Sequence, residues 1–104
     1  MEKIKVLIAD DHRVVREGLA AILKTKDDIN VVGEAQDGVE AVEKTKTLMP
    51  DVILMDVSMP RMGGIEATRQ IKREFPHMGI VALTMYAEQP YIFDLLRVGF
   101  FGYL

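Results

Sequence analysis

The chain has 104 residues and a net charge of -3, enough for one domain with its own hydrophobic core and too acidic for a chain built chiefly to bind nucleic acid. It contains no cysteine, which excludes disulfides and thiolate metal sites. No apolar run approaches the ~20 residues of a membrane helix, and the start, Met1-Glu2-Lys3-Ile4-Lys5, lacks the length and small-residue cleavage site of a secretory signal, so a soluble, cytoplasmic domain is expected.

Ile4 to Ala9 is short, apolar and rich in β-branched residues, as a parallel strand covered on both faces is. Two charges, Asp10 and Asp11, end it. Val15, Leu19, Ile22 and Leu23 then stand at i, i+4, i+7 and i+8, which predicts one apolar face of a helix over about residues 13–25, with Asp11 as its N-cap. Ile29 to Ala35 is a second predicted strand. Asp37-Gly38 opens a helix to about Leu48, with Val39, Val42 and Thr45 or Lys46 turned inward or half inward, and Pro50 closes that region. Val52 to Met55 is a third strand, fully apolar, ending at Asp56. Met59 to Gly64 is a loop by its Pro and Gly content. Ile65 to Glu74 is a third helix, with Ile65, Thr68, Ile71 and Lys72 along one side. Gly79 to Thr84 is a fourth strand, Glu88 to Val98 a fourth helix with Pro90 in its first turn, and Phe100 to Leu104 a fifth strand. Such alternation predicts an α/β fold, a parallel sheet wrapped by helices on both faces.

Open parallel sheets bind ligands outside the carboxyl ends of their strands, where strand order reverses. At that rim the predicted elements place Asp10 and Asp11 after the first strand, Asp56 after the third and Thr84 after the fourth. Each acid alone serves as readily in a helix cap or turn; three at one rim select a site. At ~5 Å and an effective dielectric of ~20, each pair of carboxylates costs about 3 kcal/mol. A hard divalent cation relieves that repulsion, and Mg²⁺ suits a site of one or two carboxylates plus waters and phosphate oxygens. A carboxylate beside the cation and open to solvent can act as nucleophile and form an acyl phosphate.

Ala9-Asp10-Asp11-His12, Leu54-Met55-Asp56-Val57-Ser58-Met59-Pro60, Gly63-Gly64, Ala82-Leu83-Thr84, Gly99 and Gly102-Tyr103 occur in that order along essentially the whole chain. The chain thereby resembles the receiver domain of two-component response regulators, in particular the NarL/LuxR-type branch. The resemblance implies a flavodoxin-like (CheY-like) doubly wound parallel sheet of five strands in the order 2-1-3-4-5. It implies Asp56 as phosphoacceptor, Asp11 as direct Mg²⁺ ligand, Asp10 as an acid holding the ion largely through water, and the Ser58 carbonyl as a further ligand. Thr84 matches the hydroxyl that contacts the phosphoryl group, and Tyr103 the aromatic switch residue. A sensor histidine kinase is the implied partner, homodimerisation the implied response, and DNA the implied target, reached only through a C-terminal domain outside this chain.

Two features depart from the family pattern. The family Lys two or three residues beyond Tyr103, and a fifth helix, fall outside a chain that ends at Leu104. Residues 1–104 are therefore expected to be a C-terminally truncated receiver domain, with apolar surface exposed on its first helix. Phe100-Phe101 is bulkier than the usual small residue there. Two other functions stay open: a non-phosphorylated interaction module keeping only the fold, and an Asp-based phosphatase of the haloacid dehalogenase type. The second is weakened because Ser58 stands where such enzymes place a second Asp. His12 follows the acids as a loop or first-turn residue, His77 is expected in solvent, and Met59 and Met62 flank the site as core filler or as a kinase-facing surface.

Overall fold

The computed structural model describes residues 3–83 and the backbone of 102–103. Short apolar runs alternate with amphipathic stretches to give β1 (Ile4–Ala9), α1 (Arg13–Lys24), β2 (Ile29–Ala35), α2 (Gly38–Leu48), β3 (Val52–Asp56), α3 (Gly64–Glu74), β4 (Gly79–Leu83) and β5 (Gly102–Tyr103). The strands form one sheet in the order β2-β1-β3-β4-β5, every pair parallel. From β1 the chain steps outward to β2, then crosses back to β3 on the opposite side. The order therefore reverses between β1 and β3, and a crevice at the carboxyl ends of these two strands follows from the topology. The predicted fourth helix and Phe100-Phe101 lie outside the described residues.

Strand residues alternate between the two faces of the sheet. Leu7, Ala9, Ile53, Met55, Ile80 and Ala82 pack with Ala41 of α2 and with Ala67 and Ile71 of α3. Val6, Ile8 and Leu54 pack with Ala20 on the face covered by α1. Because both faces are covered, β1 and β3 are nearly continuous apolar runs without polar alternation. Small residues line the helix contacts: Ala41 and Ala67 are fully buried, which lets α2 and α3 approach the strands closely.

Two details differ from the sequence-based expectation, both in α1. The N-cap of α1 is His12, in extended conformation and without a side-chain cap bond, rather than Asp11. The Asp11 carboxylate instead joins the acidic cluster at the sheet edge. The apolar stripe of α1 is only partly used: Val15 and Ile22 remain 41% and 61% exposed, while Ala20 is buried and Leu19 and Leu23 pack at the edge of the core. In α2 the expectation holds: Val39 and Val42 are half-buried and Thr45 is fully buried, with Gly38 and Ala41 beside it, while Lys46 is exposed. Asp37 caps α2 by accepting the Glu40 N–H at 2.8 Å. The helix ends at Leu48, where Met49 turns left-handed (φ 48°) ahead of a buried Pro50.

Thr68 of α3 is fully buried, and its hydroxyl has no hydrogen-bond partner among the described residues. An orphan buried hydroxyl costs free energy that an isosteric methyl does not. Thr68→Val is expected to raise the urea unfolding midpoint, by up to about 1 kcal/mol of stability. A loss of stability in that titration would mean that the hydroxyl is bonded.

Candidate functional site

The acidic site is built by continuing two central strands past their apolar runs. The Asp10 N–H donates to the Ala35 carbonyl at 3.0 Å, which carries the β1–β2 register one residue beyond β1. That bond holds Asp10 in the crevice, only 4% exposed. Its Oδ1 accepts the His12 N–H at 2.8 Å, a side-chain turn that reverses the chain into α1. In β3 the pairing with β4 extends to Asp56 opposite Leu83, so Asp56 sits at the rim next to the end of β1. The Ser58 N–H donates to Asp56 Oδ1 at 3.2 Å. One ligand atom from each of Asp10, Asp11, His12 and Asp56 lies within 4.8 Å of all the others.

Burial pushes the Asp56 carboxyl up to about 6 from 3.8, the charge of Asp10 and the adjoining Asp11 carboxyl add to the rise, and the Ser58 amide opposes it. The His12 imidazole is raised by its hydrogen bond to Asp10 and by the charges of Asp11 and Asp10. Its Nδ1 lies 3.0 Å from Asp10 Oδ1 and 3.1 Å from Asp11 Oδ1. The donor set is dominated by carboxylate oxygens, and the Asp56 carboxyl, raised first by burial, is raised further by the charges of Asp10 and Asp11. Both properties fit a hard divalent cation.

The loop after Asp56 is clamped from two sides. The Gly64 N–H donates to the Val57 carbonyl at 2.9 Å, and the Gly38 N–H to the Met62 carbonyl at 2.8 Å. A Cβ on Gly64 would overlap the Asp56 carbonyl oxygen, and one on Gly38 the Met62 carbonyl oxygen. Arg61 adopts a left-handed conformation (φ 66°) and its guanidinium meets the buried Asp37 carboxylate at 3.1 Å. Asp37 therefore caps α2 and anchors the loop at once. On the other side of β1, Arg16 donates to the Asp10 carbonyl at 2.7 Å and to Glu34 Oε1 at 3.2 Å.

Asp10, Asp11 and Asp56, expected to converge, are brought together with His12. Ser58 is exposed beside them and touches Asp56 through its amide. Thr84 lies outside the described residues. Tyr103 is described by its backbone, which pairs with Ala82 in β4–β5. His77 is exposed, as expected, and Met59 and Met62 pack against the core as half-buried residues. Arg16 and the Asp37–Arg61 pair escaped the sequence reading. Asp37-Gly38 is visible as a helix start, but its ion pair spans 24 positions and leaves no local pattern.

Residues 6–104 match the family model of the response regulator receiver domain. The chain is 48% identical, over 97% of its length and 48% of the relative's, to the transcriptional regulatory protein LiaR of Bacillus subtilis. It spans about half the length of the curated relatives it matches. Among solved structures, the receiver domain of the response regulator NarL from Mycobacterium tuberculosis superposes with a TM-score of 0.94 at 34% identity, covering 100% of this chain and 84% of that one. The CheX–CheY–BeF3–Mg²⁺ complex from Borrelia burgdorferi gives a TM-score of 0.93 at 26% identity, covering 99% and 78%.

Two outcomes are expected from this geometry. The folded state holds the Asp56 proton up to about pH 6, whereas the unfolded chain releases it near its ordinary 3.8. The stability Asp56 contributes is thus fully present below about pH 4 and is lost as pH rises through 6. In metal-free protein, Asp56→Asn is expected to flatten that slope and to gain about 1 kcal/mol at pH 7, allowing for solvent screening of a partly exposed group. Chemical denaturation across this pH range measures both. Gly64→Ala is expected to cost about 1–3 kcal/mol, because backbone, not a flexible side chain, must give way; the shift of the Asp56 amide resonance checks that the strain reaches the site.

Proposed function

The chain belongs to the response regulator receiver domain family, and on that premise we propose that it is a phosphorylation switch of two-component signalling in which Asp56 accepts the phosphoryl group. The observation that carries this reading is the convergence of the Asp10 and Asp11 carboxylates on Asp56, within 4.8 Å. Asp11 and Asp56 would ligate Mg²⁺ directly, Asp10 would hold it largely through water, and the Ser58 carbonyl would add a further oxygen. The bound ion supplies charge neutralisation for the incoming phosphoryl group.

A sensor histidine kinase is the proposed donor. An Asp56 carboxylate oxygen attacks phosphorus in line with the phosphohistidine nitrogen. The new O–P bond forms as the N–P bond breaks, and the imidazole nitrogen keeps the electron pair. Asp56 must be ionised to attack, and at neutral pH it is, despite a carboxyl raised to about 6. The Ser58 amide keeps one carboxylate oxygen occupied and leaves the other for phosphorus. Thr84 is proposed to bond a phosphoryl oxygen, and Tyr103 to follow it as the switch residue.

Residues 1–104 then form the receiver part of a cytoplasmic regulator. No described helix is long and apolar enough to cross a membrane. Because the relatives are about twice as long and several are transcriptional regulators, the proposed output is DNA binding by a C-terminal domain, controlled through homodimerisation. The chain accepts one phosphoryl group and is not proposed to turn over substrate as an enzyme.

Acetyl phosphate with Mg²⁺ is expected to add one phosphoryl group to the protein by mass spectrometry, and chelation of Mg²⁺ to abolish the gain. Asp56→Asn is expected to stay unmodified, and Asp11→Asn to weaken Mg²⁺ binding by about tenfold or more, since even outer-shell substitutions commonly cost that much. Modification that persists in Asp56→Asn would refute the assignment.

A further inference from the structure

From Arg16 we infer a positioning role in the acidic site: its guanidinium fixes the Asp10–Asp11 peptide and so aims the two carboxylates that face Asp56. This inference rests on the proposed Mg²⁺ site and adds to it a residue outside the cation's reach.

Arg16 lies in α1, yet its side chain is only 15% exposed, folded back over the end of β1. One arm donates to the Asp10 carbonyl at 2.7 Å, and Nε donates to Glu34 Oε1 at 3.2 Å. Glu34 belongs to β2, next to the Ala35 whose carbonyl accepts the Asp10 N–H at 3.0 Å. Lys44 of α2 binds the Glu34 carbonyl and pairs with Glu40 at 3.0 Å, so the anchor is itself braced by α2. Both backbone polar groups of Asp10 are thereby held, the N–H by β2 and the carbonyl by Arg16. The Asp10 carbonyl and the Asp11 N–H belong to one planar peptide. Fixing the oxygen fixes that plane and the direction in which the Asp11 side chain leaves it. A planar, forked cation is suited to span a carbonyl and a carboxylate at once in a way an ammonium is not.

A simple counter-charge would be placed differently. Among the described residues, Arg16 makes its ion pair with Glu34 and none with Asp10, Asp11 or Asp56. The two roles predict opposite signs. Removing a counter-charge leaves the cluster more negative and tightens cation binding. Removing a positioning group lets mutually repelling carboxylates spread and weakens it.

The test is Mg²⁺ titration of the wild type, Arg16→Gln and Glu34→Gln, followed by amide NMR shifts at Asp11, His12 and Ser58, with metal-free thermal unfolding in parallel. Arg16→Gln is expected to weaken Mg²⁺ binding about tenfold, the lower end for residues that orient metal ligands, and to shift the Asp11 and His12 amides before metal is added. Glu34→Gln keeps the guanidinium but loosens its anchor, and a smaller loss is expected. Because it also removes a negative charge, the Asp11 and His12 amide shifts before metal is added, rather than the loss of binding, decide the matter should Arg16→Gln fail to fold. Unchanged or tighter binding in the folded variants, with normal binding by the wild type, overturns the positioning role alone. A wild type blind to Mg²⁺ overturns the proposed site and this inference together.

Discussion

Electrostatic repulsion among Asp10, Asp11 and Asp56 is the constraint around which this end of the molecule is organised. The parallel sheet brings the ends of β1 and β3 side by side, so acids far apart in sequence must share one rim. Burial makes the repulsion worse by removing water, and Asp56 responds by holding its proton to about pH 6. A fold gains nothing in stability from such a cluster. It makes chemical sense as the proposed seat for a cation and a phosphoryl group, where the same charges would serve as ligands and nucleophile.

Holding repelling groups in place takes bracing, and the bracing is mostly backbone. Asp10 is tied at its N–H, its carbonyl and its carboxylate. The segment after Asp56 is closed on itself by the Gly64–Val57 bond and tied to α2 by the Gly38–Met62 bond. Glycine is required at both points because backbone passes where a Cβ would be. The Asp37–Arg61 pair joins the same loop to the cap of α2. Strand ends, loop and two helix starts thus form one connected frame around Asp56.

Much of the fold was legible locally. Residues 6–9 and 52–55 are apolar because both faces are covered, and that pattern identifies central parallel strands before any contact is known. Asp37-Gly38 marks a helix start by its chemistry, and Asp37 does cap α2. The same rule misplaced the cap of α1. An acid just before a helix is a good cap on local grounds, but Asp11 is drawn into the cluster with Asp10 and Asp56, and His12 takes the cap position with no side-chain bond to the helix. Val15 and Ile22 fit the helical period as well as Leu19 and Leu23 do, yet they stay exposed. Periodicity defines a face of a helix; how much of that face meets the sheet depends on its docking.

By itself the sequence determined the alternation of strands and helices, the acids at the strand ends and the family pattern that joins them. These follow from short-range rules: side-chain period, capping chemistry and the cost of continuing a buried strand with charge. Only the tertiary structure decided that Arg16 reaches back to the Asp10 carbonyl, that Arg61 finds Asp37, and that Gly38 and Gly64 lie against carbonyl oxygens. Such partners are separated along the chain and selected by how the sheet packs its helices, and no local pattern of residues encodes a distance that exists only once the layers are assembled.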